Sequence, residues 1–208
     1  PGSTFKIVTA LAALQEGVIS PNKTLFCGGS YRVGNRTIRD WKKGGHGQIN
    51  MHEALVQSCD VYFYQISQRL GIDKIARYAR RFGLGTTTGI KLSESSGVVP
   101  DRAWKKRNIP GEPWYPGETP QVAIGQGFLS VTPLQMANMV AAVANGGTVY
   151  RPWFVSQVRS HNGEVMEQYG PVRTGTVGLK KVNLGIIRRA LFDVVHGKRG
   201  TARGCARM

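Results

Sequence analysis

The sequence lacks the features that define several large classes of protein. It has only three cysteines in 208 residues, too few for the disulfide scaffold of a small secreted domain. It contains no run of 18 apolar residues, so no segment is predicted to cross a membrane. It begins with proline and shows no signal peptide, so we expect an internal piece of something longer. The length suits one domain.

Acidic residues are scarce as well. The chain has 12 Asp and Glu against 28 Lys and Arg, a net charge of +16, and the excess lies mainly in residues 71–110 and 171–208. Such a charge favours an anionic partner, for example phospholipid headgroups or an acidic polymer. A nucleic acid is not expected, because no RNA-binding aromatic signature, recognition helix or zinc-finger spacing accompanies the charge. Hydrophobic residues make up 41% of the chain, enough to predict a folded core.

The hydrophobic pattern predicts mainly helices. Capping residues are expected where the helices begin, at Ser3, Asp73, Thr132 and Asn183. Residues 86–131 lack a long period and are expected to be a structured loop. The helices are predicted at 4–17, at 51–70 with a break near Ser58, at 73–82, from Thr132-Pro133 onward and at 183–196; loop and hairpin are predicted at 20–50, and two short strands at 149–169 around a turn at 161–163.

The first candidate for chemistry is Ser3-Thr4-Phe5-Lys6, an S-x-x-K tetrad at a helix start. Positions three apart share a helix face, so Lys6 is expected to reach the Ser3 hydroxyl. A serine nucleophile needs a base, and a lysine can serve when burial or nearby cations lower its pKa. The tetrad alone is weak evidence, because Ser20-Pro21-Asn22-Lys23 also fits it. The alternative for Ser3 is a plain helix cap.

Ser58-Cys59-Asp60 is the second candidate. Enzymes that are acylated by penicillin pair S-x-x-K with an S-x-N or S-x-D element. In that element the serine relays a proton, and the amide or carboxylate holds the lysine and the substrate. The alternative for Ser58 and Asp60 is a helix break with a local cap.

Together these motifs resemble those of class B penicillin-binding proteins of the elongation type, the penicillin-binding protein 2 group. The resemblance runs along almost the whole chain, to about Ala202, and the motifs keep the family's order. It implies the α/β (α+β) transpeptidase fold shared with serine β-lactamases, an antiparallel sheet beside a helical subdomain, with this chain holding mostly the helical part. The motifs that carry it lie at 1–6, 40–47, 58–64, 124–127 and 132–135.

The resemblance implies a serine-type D-Ala-D-Ala transpeptidase or carboxypeptidase that cross-links peptidoglycan stem peptides during cell-wall elongation and the maintenance of cell shape. Ser3 would attack the carbonyl between the two terminal D-alanines, with neutral Lys6 as the base. Ser58 would pass a proton to the departing D-alanine. Asp60 stands where many relatives carry Asn, as is common in this subfamily. A β-lactam such as penicillin would acylate Ser3 and remain bound.

The family also needs a Lys-Ser/Thr-Gly motif on a strand that lines the site, and this sequence contains none. Lys198-Arg199-Gly200 imitates it, with Arg in place of the hydroxyl residue. We therefore expect residues 1–208 to be a partial transpeptidase domain, from the first motif to a point before the third, which penicillin does not acylate on its own. The resemblance further implies an N-terminal anchor in the bacterial inner membrane, a catalytic domain in the periplasm, and RodA-type glycosyltransferase and MreC-type scaffold partners.

Four side chains that can bind zinc are separated by 12, 5 and 12 residues: Cys27, Asp40, His46 and Cys59. A metal held by them would join the loop at 27–46 to the helix of the second motif. Some members of the resembled subfamily carry a zinc in this loop with a comparable ligand set, so the resemblance strengthens the prediction of a structural zinc. A Cys27–Cys59 disulfide and free thiols remain the alternatives.

The glycines of Gly125-Gln126-Gly127 predict a close approach of the backbone to the substrate cleft. The alternative is a tight turn before the helix at Thr132, and a packing role near the site is favoured over a catalytic one.

Two other functions remain open at this point. One is a non-catalytic, zinc-stabilised basic module that binds an anionic polymer. The other is a serine hydrolase of the β-lactamase type, which the lack of a recognisable glutamate-bearing deacylation loop argues against. Penicillin labelling of the full-length protein would separate the transpeptidase from the basic module.

Overall fold

Apolar side chains around its whole circumference make the first helix the centre of the core. In the computed structural model, which describes residues 1–207, a 3₁₀ turn at Gly2–Phe5 runs directly into α1 (Lys6–Gln15). Every residue of α1 from Lys6 to Leu14 is buried. Ser3 lies inside the 3₁₀ turn and its side chain makes no capping hydrogen bond, so the prediction that it caps the helix is wrong.

The predicted break near Ser58 is confirmed, because two helices flank it. α2 (Met51–Val56) begins with a capping box between Asn50 and Glu53. α3 (Asp60–Leu70) packs against α1, and the Cys59 thiol accepts a hydrogen bond from the backbone of its first turn. Ser58 therefore stands in a short connection between two ordered helices.

The third predicted helix is α4 (Ile72–Arg81), which starts after Gly71. Asp73 makes no capping bond within it, so the predicted cap is wrong. Its carboxylate instead pairs with Arg102 at 2.9 Å. Gly71 has φ +80°, a left-handed conformation that separates α3 from α4 at little steric cost.

The segment at 20–50 forms hairpins, as predicted. The outer pair joins β1 (Leu25–Cys27) and β4 (Gly47–Ile49), and the inner pair joins β2 (Ser30–Val33) and β3 (Arg36–Arg39), both antiparallel. Residues 40–46 form the connection between the two pairs, and it reaches the end of α2.

Residues 86–131 were expected to be loop, but they contain two short helices. α5 (Arg102–Asn108) is capped by Asp101, whose carboxylate accepts from the Trp104 backbone N–H at 2.6 Å. α6 (Glu118–Ala123) packs on α3. Helices of seven and six residues are too short to produce a clear hydrophobic period, which is why the pattern did not predict them.

Thr132 caps α7 (Pro133–Ala144) in a capping box with Gln135, as the sequence predicts. The strand region holds two antiparallel pairs rather than one: the expected hairpin of β6 (Gln157–Arg159) with β7 (Val165–Gln168), and the enclosing pair of β5 (Thr148–Arg151) with β8 (Val172–Thr176). The last helix, α8 (Lys181–His196), starts two residues early, so Asn183 does not cap it. Asn183 is buried and bonds Gln15 at 3.0 Å.

These elements place most of the core in the helices around α1. Strands β6 and β7 have no buried residue. A 3₁₀ turn at Arg203–Arg207 ends the described chain. Over residues 1–207, the helices are all too short or too polar to traverse a lipid bilayer.

Candidate active site

The nucleophile candidate, Ser3, is exposed and lies in a turn directly after Gly2. The Gly2 backbone N–H donates to the Gly125 carbonyl at 3.0 Å. Gly125 has φ +81°, and a Cβ at this position would lie 2.1 Å from the Gly2 carbonyl oxygen. Only glycine combines this conformation with so close an approach. The turn that carries Ser3 is therefore held in place by the hydrogen bond and the close backbone contact between Gly2 and Gly125.

Lys6 is buried to 1% exposure yet surrounded by acceptors. Its ammonium group donates to the carbonyl oxygen of Ser58 at 2.8 Å and to the Ser58 hydroxyl at 2.9 Å. Asp60 Oδ1 lies 2.7 Å from Lys6 Nζ. These contacts match the three donors of a lysine ammonium group, so the position of the nitrogen is well determined.

Ser58 connects the lysine to the nucleophile. Its hydroxyl donates to Ser3 Oγ at 3.0 Å while it accepts from Lys6. Over residues 1–207, Lys6 makes no direct hydrogen bond to Ser3. The expectation that Lys6 itself reaches the Ser3 hydroxyl therefore gives way to a chain that runs from Lys6 through Ser58 to Ser3.

The backbone at Ser58 is unusual. Its φ is +53°, and among residues 1–207 it is the single non-glycine residue with a positive φ. A left-handed non-glycine residue costs on the order of 1–3 kcal/mol and persists where its surroundings hold it. Such strain is concentrated at functional sites, and here it directs a hydroxyl between Lys6 and Ser3.

Two residues that the motif analysis did not single out also contact the site. The Trp41 indole N–H lies 3.1 Å from the Ser58 carbonyl oxygen. The Thr9 hydroxyl donates to the Ala123 carbonyl at 2.8 Å, which fastens α1 to the end of α6 just before Gly125. The sequence offered a signal for Trp41, since it lies in the quoted motif 40–47. It offered none for Thr9, which depends on a contact between distant segments.

The remaining residues of the glycine segment lie at the surface. Gln126 is exposed and its backbone N–H bonds the Gln121 carbonyl at 2.9 Å. Gly127 has φ +68°. The segment is therefore a tight turn after α6, and Gly125 makes a close backbone contact with the turn that carries Ser3. That its glycines line the substrate cleft stays a prediction.

The four candidate metal ligands converge beside the second motif. One ligand atom from each of Cys27, Asp40, His46 and Cys59 lies within 4.8 Å of all the others. Asp40 Oδ2 is 3.3 Å from Cys59 Sγ and 3.5 Å from Cys27 Sγ, and His46 Nδ1 is 3.6 Å from Cys27 Sγ. Tetrahedral zinc with bonds of about 2.0–2.3 Å separates its ligand atoms by roughly 3.3–3.8 Å. Both cysteines are free thiols.

Burial sets the protonation states of this cluster. Burial raises the pKa of Asp40, but hydrogen bonds from the backbone N–H groups of Val61 and Lys42 outweigh it and hold the pKa below its usual value. Burial also lowers the pKa of His46, against the attraction of Asp40. The imidazole is therefore neutral at pH 7 and keeps a lone pair. Burial raises the pKa of the Cys59 thiol, so that thiol must release a proton to become a metal ligand.

The imitation of the third motif does not lie on a strand. Lys198 to Gly200 follow α8 in a turn closed by a bond from the Gly200 N–H to the Gly197 carbonyl at 3.0 Å. Arg199 extends toward Glu53 at 3.5 Å. Lys198 and Arg199 line a depression between α2 and α8.

Comparisons with known proteins agree with this geometry. The profile of the family described as "Penicillin binding protein transpeptidase domain" matches residues 1–207. The peptidoglycan D,D-transpeptidase MrdA of Escherichia coli (strain K12) is 42% identical over 205 residues, which is 97% of this chain and 32% of that protein.

Solved structures agree as well. The crystal structure of Pseudomonas aeruginosa PBP2 in complex with WCK 5153 is similar at a TM-score of 0.86 and 35% identity, over 98% of this chain and 46% of that one. The complex of Helicobacter pylori PBP2 with MreC contains a chain that is similar at a TM-score of 0.85 and 32% identity, over 97% of this chain and 36% of that one.

The chain spans about a third of the length of the curated relatives that it matches. The family match over residues 1–207 includes both serine motifs. The two-serine and lysine arrangement, the fold and the profile match agree with one another. This chain belongs to the penicillin-binding protein transpeptidase domain family.

Proposed function

We propose that the protein carrying this chain is a peptidoglycan D,D-transpeptidase that cross-links D-Ala-D-Ala stem peptides during cell-wall elongation, and that the chain supplies its nucleophile and proton relay. The observation that carries the proposal is the continuous hydrogen-bonded chain from Lys6 through the Ser58 hydroxyl to Ser3. A nucleophile connected to a base by hydrogen bonds, here through one intervening hydroxyl, with a third group orienting the base, is an arrangement of covalent catalysis. Asp60 is the orienting group.

Acylation follows from these contacts. Attack requires neutral Lys6, and the two hydroxyl hydrogen bonds then run from Ser3 to Ser58 and from Ser58 to Lys6, opposite to those described above. Ser3 Oγ attacks the carbonyl carbon between the two terminal D-alanines while its proton passes through the Ser58 hydroxyl to Lys6. When the tetrahedral adduct collapses, the C–N bond breaks and the proton returns through Ser58 to the departing amine. An acyl-Ser3 ester and free D-alanine result, so the proton taken from Ser3 ends on the leaving group.

The second half-reaction uses the same residues. An amine of a second stem peptide attacks the ester carbonyl and gives its proton to Lys6 through Ser58. Collapse of this adduct forms the new amide cross-link and restores the Ser3 hydroxyl with that proton. A β-lactam enters the first half-reaction in place of the stem peptide, and its tethered leaving group stays in the site, so the acyl-enzyme persists.

The cellular setting is part of the proposal. The protein would be anchored in the bacterial inner membrane with this domain in the periplasm, where cross-linking takes place. An MreC-type scaffold is proposed as a partner because the similar Helicobacter pylori chain is in a complex with MreC. A RodA-type glycosyltransferase partner rests on the sequence resemblance to the elongation group.

The experiment is covalent labelling of the complete gene product with a fluorescent penicillin. Wild type and Thr4→Ala should label, because the Thr4 hydroxyl bonds the Pro1 carbonyl at 2.7 Å and, among residues 1–207, no side chain of the proton relay, whereas Ser3→Ala should not. Mass spectrometry should find the adduct on the peptide that contains Ser3. Equal labelling of Ser3→Ala would overturn the proposal, and rapid loss of the adduct would favour a β-lactamase. Absence of any labelling would favour the non-catalytic basic module.

We also propose that Cys27, Asp40, His46 and Cys59 hold a structural zinc ion. Two thiols, a carboxylate and a neutral imidazole are a donor set that zinc favours, and their spacing suits tetrahedral coordination. A bound zinc would join the hairpin region to α3, whose first residues include Asp60. It would supply folding energy and no catalytic step.

Metal analysis by mass spectrometry tests the zinc proposal. The purified protein should hold about one equivalent of zinc, Cys59→Ser should lose it, and Cys205→Ser should keep it, because Cys205 is exposed and outside the cluster. Since the raised pKa of Cys59 means that binding expels its proton, zinc affinity should fall as the pH is lowered, by about tenfold per pH unit for each proton released. A metal-free protein with oxidised Cys27 and Cys59 would establish the disulfide instead.

A further inference from the structure

Trp41 combines an exposed ring with a polar contact to the backbone of the site. The side chain is 60% exposed, yet its indole N–H lies 3.1 Å from the carbonyl oxygen of Gln57 and 3.1 Å from that of Ser58. An indole has one donor and no acceptor, so this single N–H is shared between two successive carbonyl groups. A large aromatic side chain that remains in water gains little from burial, and the hydrogen bond joins it to the connection between α2 and α3.

The contacted carbonyl belongs to the strained residue of the site. The Ser58 oxygen accepts from Trp41 and from Lys6 Nζ, at 3.1 and 2.8 Å. Two donors on one oxygen restrict rotation of the peptide group that follows Ser58. That rotation would change the left-handed conformation of Ser58, and with it the direction of the hydroxyl that bonds Ser3.

Trp41 is itself held by its neighbours in the chain. Asp40, immediately before it, accepts from the Val61 N–H at 3.0 Å, and the Lys42 N–H, immediately after it, donates to Asp40 at 3.1 Å. The indole ring packs edge-on against His46, with ring centroids 5.6 Å apart. The loop that carries Trp41 is therefore anchored to the first turn of α3, the same helix whose start it contacts.

We propose that Trp41 is a positioning residue for the proton relay. Its indole N–H holds the Ser58 peptide in the conformation that places the Ser58 hydroxyl between Lys6 and Ser3. It touches no reacting atom, and it acts on the rate of acylation rather than on the binding of the acyl donor. This inference rests on the proposed transpeptidase function, since it assigns Trp41 to the relay of that reaction.

Saturation kinetics with a chromogenic β-lactam on the complete gene product test the inference. The first-order acylation constant and the dissociation constant of the non-covalent complex are measured for wild type, Trp41→Phe and Trp41→Ala. The phenylalanine variant keeps a ring against His46 and removes only the N–H. Trp153→Phe is the matched control, because Trp153 is a similarly exposed tryptophan, 45% exposed, remote in the chain from both motifs.

We expect Trp41→Phe to acylate about tenfold more slowly, with a dissociation constant within twofold of wild type and Trp153→Phe unchanged. A misplaced reacting group commonly costs that much or more. The rate constant is obtained per acylatable molecule, so partial unfolding of a variant lowers the amplitude and leaves the constant interpretable. Trp41→Ala should be at least as slow as Trp41→Phe.

Two results overturn the inference. An unchanged acylation constant in both Trp41 variants removes the positioning role. A weaker non-covalent complex at an unchanged acylation constant makes Trp41 a contact of the acyl donor instead. Ser3→Ala in the same assay keeps the two proposals separate: covalent turnover that survives Ser3→Ala refutes the proposed function, whereas loss of turnover there with a normal Trp41→Phe refutes only the inference.

Discussion

Two regions of the molecule bury a lysine against carboxylates, and they use it differently. Lys6 and Lys105 are each 1% exposed. Lys6 pairs with Asp60, and Lys105 pairs with Glu118 and with Glu112. A buried ammonium group costs a great deal of free energy unless it is paired, so in both regions the carboxylate is required before any function is considered.

The difference lies in the other neighbours. Lys6 also contacts the Ser58 hydroxyl, and through it an exposed serine. Both ammonium groups also lie near aromatic rings: Lys6 Nζ is 5.6 Å from the Phe63 centroid, and Lys105 Nζ is 4.4 Å from the Tyr115 centroid and 5.7 Å from that of Phe128. Among residues 1–207, Lys105 hydrogen-bonds a carboxylate and no hydroxyl group. A ring face stabilises the cation but cannot exchange a proton with it. Burial and pairing therefore do not distinguish the two lysines, whereas a hydroxyl within hydrogen-bonding distance of both the lysine and a second serine does.

The largest expected effect separates the two lysines by exchange for arginine. Lys6→Arg should slow penicillin acylation by about 10³-fold, because arginine stays protonated and cannot serve as a base. Lys105→Arg should acylate within about threefold of wild type, since a guanidinium group also pairs with carboxylates and rings. Stopped-flow acylation of the complete gene product measures both. Equal loss in the two variants would abolish the distinction.

The Lys105 region should affect the stability of the protein rather than its acylation. Lys105→Met removes the partner of the partly buried Glu118 carboxylate, whose side chain is 16% exposed, and should lower the melting temperature by about 10 °C. Adding Glu118→Gln to Lys105→Met should restore most of the lost melting temperature, because the Glu118 carboxylate that had lost its cation is then neutral. Differential scanning calorimetry measures the shift. A double variant that is no more stable than Lys105→Met would show that packing, rather than charge, governs this region.

Neutralising one carboxylate in each region sharpens the comparison further. Asp60→Asn should keep acylation within about tenfold, because an amide oxygen still accepts from Lys6 and many relatives are implied to carry Asn there. Glu118→Gln should leave the acylation constant unchanged within about twofold. Its effect should be confined to a melting temperature lower by a few degrees, since Glu112 remains beside Lys105. A large kinetic effect of Glu118→Gln would connect the Lys105 region to the chemistry.

The smallest effect concerns the cap of the helix that carries Lys105. Asp101→Ala should lower the free energy of unfolding by about 1 kcal/mol at pH 7. Burial raises the pKa of Asp101, but the Trp104 N–H and Arg80 outweigh it and the pKa is lowered. A lowered folded-state pKa means that the stabilisation is present above the unfolded-state pKa and disappears as the pH falls through the folded-state value. Denaturant titrations of wild type and variant should therefore begin to converge below about pH 3.8, the unfolded-state value, and should coincide only once the pH is below the lower folded-state pKa.

How well these regions could be predicted depends on how far apart in the sequence the interacting residues lie. The capping box at Thr132 and the helix break at Ser58 depend on residues a few positions apart, and both were predicted. Both serine motifs were found because their spacing is local. The relay through Ser58, by contrast, joins residues 52 and 55 positions apart, so spacing within the tetrad suggested a direct contact from Lys6 instead.

The Lys105 region was not predicted for the same reason. Residues 86–131 show no period because α5 and α6 are each shorter than two full turns, and the aromatic and acidic residues around Lys105 come from separate parts of that segment. Wrong caps at Ser3, Asp73 and Asn183 share another cause. Each side chain bonds a residue that is distant in the sequence: Ser3 bonds Ser58, Asp73 bonds Arg102 and Asn183 bonds Gln15. Local helix-capping preference cannot predict such partners.

The backbone contact between Gly2 and Gly125 makes formation of the site depend on folding of the chain between them. It closes a loop of about 120 residues, whose entropy cost is recovered only once the intervening core has assembled. The turn that presents Ser3 therefore reaches its final shape late, after the local helices. During refolding, penicillin labelling should lag behind the far-ultraviolet circular dichroism of the helices. Penicillin labelling of the refolding complete gene product would thus measure the fraction of fully folded molecules. Simultaneous recovery of labelling and circular dichroism would disprove this order.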